Sequence, residues 1–171
     1  MALSATCAGV QPALTMIETL RDCTHTVFAT MVGTTLEERT PLDGDALRPH
    51  CNVVGTVGFG GSRSGLVVFY ATFDAARHIT QTLLALDAGN DPSHAEVADA
   101  IGEITNMIAG SFRTRMTTDG DLWAISIPTV TMGSDFYITS LTDGSRTVLP
   151  FRMHNHELFV ELVITTRTAR A

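Results

Sequence analysis

A two-layer α/β fold, with a largely antiparallel sheet packed by amphipathic helices, is what the residues of this chain predict. Three observations carry the prediction. From about Asp91 to Arg115, Val97, Ile101, Ile104, Ile108 and Phe112 fall on one stripe at ~100° per residue, the pattern of a helix lying on a core. Strand-like runs come in pairs separated by glycine-rich or Asx turns, as in hairpins. The element order is helix, two strands, two helices, four strands, and it closes most simply as a sheet with helices over it. At 171 residues the expectation is one domain over 1–171, long enough to bury ~70 % of its unfolded surface.

Composition narrows the function classes. The chain is 44 % hydrophobic and 17 % charged, with a formal net charge of -7. That sign argues against nonspecific binding to nucleic acid or an anionic membrane. No stretch approaches the ~18 apolar residues a membrane helix needs. No basic residue precedes Arg21, so a secretory signal is not expected. Cys7, Cys23 and Cys51 are odd in number and scattered, without Cys-x-x-Cys, which points to a reduced, cytoplasmic protein.

Taken in order, residues 1–11 are expected to fray. A first helix runs from Pro12 to about Met31, with Ile17, Leu20, Val27, Phe28 and Met31 inward and Gly33 as its stop. Thr34–Pro49 reads as a loop or irregular strand. Cys51–Phe59 and Gly65–Ala71 form a hairpin across Gly60–Ser64. A short helix spans Phe73–Leu86, with Ala76, Ile79, Leu83 and Leu86 inward, ended by Gly89. The long helix opens with Asp91 or Ser93 as cap, Pro92 in the first turn, and Ser93-x-x-Glu96 as a capping box. After a Thr117–Asp121 turn, strands are expected at Leu122–Thr131, Phe136–Leu141, Thr147–Met153 and Leu158–Thr166. Asp143-Gly144 and His154–Glu157 make the later turns.

The outer face of the long helix carries the chemistry. Asp99, Glu103, Asn106 and Gly110 lie on it, with Glu103 and Asn106 a turn apart. Gly102, Ala109 and Gly110 keep the surface low. Glycine inside a helix costs roughly 1 kcal/mol against alanine, so two of them imply a close approach by something. On spacing alone this is an ordinary polar helix face; the glycines make it a docking surface with one carboxylate and one amide.

Other patterns weigh less. Gly58-Phe59-Gly60-Gly61-Ser62-Arg63-Ser64-Gly65 fails the dinucleotide pattern at Arg63 and the phosphate-loop pattern at Leu66, and a strand follows it where a helix would be needed. His154-x-His156 has metal-ligand spacing, but the sequence shows no third ligand, and Asn155 and Glu157 favour a solvated turn. Met107, Met116 and Met132 read as packing residues.

Asp99-x-x-x-Glu103-x-x-Asn106, then Met107-Ile108-Ala109-Gly110, then Ile125-Ser126-Ile127-Pro128-Thr129-Val130-x-x-Gly133, resembles the CheC/CheX/FliY family of chemotaxis phosphatases. Pro128 falls about one residue short of the usual spacing. The resemblance spans nearly the whole chain and implies the CheC/CheX-like fold. It implies a phosphatase acting on the aspartyl phosphate of a CheY-like response regulator, with Asn106 orienting the attacking water and Glu103 contacting the regulator's lysine. Asp99, Gly110 and Pro128 would support. Mg²⁺ would sit on the regulator, with no cofactor or metal in this chain, and a homodimer is implied. In related two-site proteins the first helix repeats Glu-x-x-Asn; here Glu18-Thr19-Leu20-Arg21 lacks the amide, leaving one site per chain. The alternative is a non-catalytic module binding a response regulator or a flagellar switch component.

Overall fold

The computed structural model describes residues 10–40, 42–43, 51–87, 89–118, 120–136 and 144–165. Helix α1 (Val10–Val27) buries Met16, Leu20, Cys23 and Val27 at steps of four, three and four residues. It then widens into a π turn, Phe28–Val32, closed by Gly33 at φ 65. The wider winding shifts the phase of the apolar stripe. Val32 is buried and Met31 is exposed, so the expectation that Met31 faces inward is corrected. Two short strands follow, β1 (Glu37–Glu38) and β2 (Leu42–Asp43). The expectations for residues 1–9 and 44–49 lie outside the described residues, as does Cys7.

Strands β3 (Cys51–Gly60) and β4 (Ser64–Ala71) form the expected hairpin. Helix α2 (Phe73–Leu83) is capped by the Thr72 side chain and stops three residues earlier than expected. Ala76 and Ile79 are buried, while Leu83 and Leu86 are only half-buried. Helix α3 (His94–Met116) starts from a complete Ser93/Glu96 capping box. Pro92 therefore precedes the cap instead of entering the first turn. Strands β5 (Ala124–Ile125), β6 (Thr129–Phe136), β7 (Gly144–Met153) and β8 (His156–Thr165) complete the described chain. The strand expected over Leu122–Thr131 is divided. Phe136 ends a strand here instead of beginning one, and 137–143 lie outside the described residues. The last turn is shorter than expected: only His154 and Asn155 lie between β7 and β8.

The strand order is β1-β7-β8-β4-β3-β5, with β2 beside β7 and β6 beside β3, and every pairing is antiparallel. This is the predicted α/β architecture. Side chains alternate across strands, so Val53, Val57, Phe59, Val67, Phe69, Leu158, Val160 and Leu162 meet the helices in one core. The opposite sheet face holds Cys51, Val54, Val68 and Tyr70. There the buried Glu161 accepts from the Tyr70 hydroxyl and from Arg146. Burial, then the Glu161 charge, push the Tyr70 hydroxyl well above its ordinary range.

Helix α3 lies very close to β3. A Cβ on Gly55 would stand 2.1 Å from Thr105 Oγ1. Only glycine lets the helix settle at this height, and the buried Thr105 hydroxyl turns back to donate to Ile101 O at 2.7 Å.

Candidate docking face on the long helix

The inward stripe of α3 fixes its rotation. Val97, Ile101, Ile104, Ile108 and Phe112 are all fully buried, as the periodicity requires. Phe112 meets Phe59 and Trp123 edge-on, at ring separations of 5.7 and 6.2 Å. Asp99 and Glu103 are consequently exposed, and Asn106, expected to be exposed, is half-buried one turn from Glu103. Asn106 follows the buried Thr105 at the border between the polar face and the core. Among the described residues, no hydrogen bond or ion pair engages the side chains of Asp99, Glu103 or Asn106. The helix presents a carboxylate and an amide with their bonding capacity uncommitted.

The glycines of the face have a different use from the one expected. Gly102 is buried; a Cβ there would lie 3.4 Å from Val130 Cγ2 and 3.9 Å from Pro128 Cγ. The close approach is made by the chain's own edge strand, which seats on the groove that Gly102 provides. Gly110 is half-buried, with Ile125 Cδ1 4.0 Å from where its Cβ would be, and Ala109 belongs to the core. An open depression of ≈ 520 Å³ remains beside the helix, lined by Ala98, Asp99, Gly102, Glu103, Pro128 and Val130.

Pro128 forms the rim of that depression for a backbone reason. β5 pairs with Phe59 and Gly60 while β6 starts opposite Thr56, so Ser126, Ile127 and Pro128 face only Val57 and Gly58. The extra residue makes a bulge, where a proline that cannot donate is tolerated. Ser126 carries the pairing across it: its N–H donates to Gly58 O at 2.8 Å, and its hydroxyl oxygen accepts from Gly58 N–H at 3.0 Å. The expectation of a sheet edge or bulge at Pro128 matches this geometry.

The competing patterns resolve differently. The glycine-rich segment is a hairpin turn held by Asp121, whose carboxylate accepts from the Ser62 amide, the Ser62 hydroxyl and Trp123 Nε1. The Ser62 bond, then that of Trp123, hold the Asp121 carboxyl below its ordinary range. Asp121 gave no signal in the sequence, because its partners come from a distant hairpin. A larger depression of ≈ 690 Å³ lies by Asn52, Thr72, Phe73 and Ser134. There the Asn52 amide is already committed, donating to Gly133 O and accepting from Phe73 N–H. On α1, Glu18 is exposed, while Arg21 and His25 both reach Glu38 of β1, at 3.5 and 2.8 Å.

Comparison with known proteins follows the same residues. The chain is similar to the chemotaxis protein CheX of Desulfovibrio desulfuricans, at 25 % identity and TM-score 0.79, over 88 % of this chain and 99 % of that one. CheX of Vibrio vulnificus gives 24 % identity and TM-score 0.78, covering 88 % and 99 %. The CheX–CheY–BeF3–Mg²⁺ complex of Borrelia burgdorferi gives 22 % and 0.73, covering 88 % and 98 %. No curated protein matches. The family model of the chemotaxis phosphatase CheX matches residues 53–152, from the strand under α3 through the face itself to the bulge and beyond. With more than half of its length so matched, the chain belongs to the CheX family of chemotaxis phosphatases.

Proposed function

We propose that the chain hydrolyses the aspartyl phosphate of a CheY-like response regulator through the outer face of α3. The observation that carries the reading is the uncommitted Glu103–Asn106 pair on a helix anchored along its whole inner side. An acyl phosphate is already activated, so catalysis consists mainly of placing a water in line and compensating charge. That work requires no nucleophile, and an amide that both donates and accepts suits it. Asn106 orients the water in the regulator's active site. Glu103 makes a charge-assisted contact with a regulator lysine. Asp99 adds negative charge one turn before Glu103, and Gly110 and Pro128 shape the rim. Mg²⁺ is supplied by the regulator. The CheY partner present in the Borrelia burgdorferi structure supports this choice of partner. A cytoplasmic setting, in which the buried Cys23 and Cys51 stay free thiols, and a homodimer belong to the same proposal.

The test is dephosphorylation of the source organism's phosphorylated CheY-like regulators. Asn106→Ala is expected to lower the rate on the order of 10²-fold, with binding largely kept and no rescue at saturating regulator. Glu103→Ala is expected to weaken recognition, most visibly at low salt, with partial rescue at saturation. A wild-type rate from Asn106→Ala would remove catalysis from this face and leave a binding module.

A further inference from the structure

The edge chain beside α3 breaks its own alternation at one residue. Ile125, Pro128 and Val130 are half-buried against the helix, Ile125 beside Gly110 and the other two beside Gly102. Strand period would give the next inward seat after Ile125 to Ile127. The bulge adds a residue, so Pro128 takes that seat and Ile127 is turned out, 85 % exposed. Its backbone is held there. The Ser126 hydroxyl accepts from Gly58 N–H at 3.0 Å and donates to Ile127 O at 2.9 Å, and Pro128 fixes its own φ next to it. A β-branched side chain with few rotamers is thus presented to solvent on a stiff segment.

Its place along α3 follows. Gly102, Asn106 and Gly110 stand at i, i+4 and i+8, on one stripe about 12 Å long. From Pro128 back to Ile125 the edge chain covers about 10 Å beside the same stripe, antiparallel to the helix. Ser126 and Ile127 therefore pass at the level of Asn106. Leu122 is equally exposed, but it lies at the C-terminal end of α3, beside Arg113 and Thr117.

On the footing of the function proposed above, we propose that Ile127 recognises the regulator, seating on an apolar patch that borders its phosphorylated aspartate. Glu103 and Asn106 exchange water for partner groups, which brings little net gain. Burial of Ile127 adds the non-directional apolar term that holds them at the aspartate. Its stiffness keeps the ordering cost of docking low.

Steady-state dephosphorylation of the phosphorylated regulator, with binding to the beryllofluoride-activated regulator alongside, tests the contact. Ile127→Ser is expected to raise KM and Kd about tenfold, with kcat at saturating regulator and the melting temperature unchanged. Ile127→Leu is expected to keep most of the affinity, and Leu122→Ser to behave as the wild type does. Asn106→Ala reads the underlying function separately. An unchanged KM in Ile127→Ser, beside a rate lost in Asn106→Ala, would overturn this contact and leave the proposed function standing. A wild-type rate in Asn106→Ala would remove the function, while a weakened Kd in Ile127→Ser would still support the contact. A KM defect as large in Leu122→Ser would overturn the contact. So would loss of a dimer in Ile127→Ser with KM unchanged, which would seat a second copy of the chain there.

Discussion

Helices α1 and α3 pack against each other over the same sheet face, with Arg115 of α3 reaching Asp22 and Thr26 of α1. Each shows a glutamate with a polar residue three positions later, Glu18 with Arg21 and Glu103 with Asn106. On α1 the residue at the amide's position is spent on structure, since Arg21, together with His25, converges on Glu38 of β1, while Glu18 stays exposed. On α3 the amide of Asn106 has no hydrogen-bond partner among the described residues, and the element beside the face is a bulged edge that offers Pro128 and Val130 instead of charge. The contrast teaches that a helix face can act on a partner only when its own fold has left that face's polar groups unsatisfied.

The largest effect expected from this comparison lies under the α3 face. Phe112→Ala should cost about 3–5 kcal/mol, as truncation of a fully buried aromatic does; an unchanged denaturation midpoint would mean that α3 is not the anchored helix of the pair. Next comes Gly55→Ala, whose methyl must displace Thr105 and lift α3 from β3, at about 1–3 kcal/mol. Adding Thr105→Ala should recover part of the loss, and failure to do so would place the strain elsewhere.

The α3 cap is worth less, about 1 kcal/mol for Ser93→Ala by urea denaturation. Its pH dependence has a definite sign. The Ser93 side chain, then its backbone N–H, hold the Glu96 carboxyl below its ordinary 4.5 in the folded state. That contribution is therefore present above about pH 4.5 and is lost as pH falls through the folded value. The gap between wild type and Ser93→Ala should narrow in acid; a gap that widens would contradict the capping box as the cause.

The smallest expected effect tests the comparison most directly. Arg21→Asn gives α1 the amide it lacks and removes one partly exposed ion pair, worth at most about 1 kcal/mol. Placed in Asn106→Ala, it should restore no dephosphorylation. Recovered activity would mean that the amide alone distinguishes the two helices.

The sequence by itself determined the α/β class, the inward stripe of α3, its capping box, the β3–β4 hairpin and the place of Pro128. Each follows from local period, cap or backbone chemistry that acts within a few residues. The Glu103–Asn106 pair was also legible, because helical spacing alone makes the two neighbours. Only the tertiary structure decided what depends on contacts between distant segments. It showed that Gly102 seats the chain's own edge strand, and that a π turn rotates Met31 out of the core. It also showed that Asp121 clamps the glycine-rich turn and that His78 faces His154 and His156. A residue's period records which side it faces; what meets it there is set by the packing of segments whose separation along the chain carries no such signal.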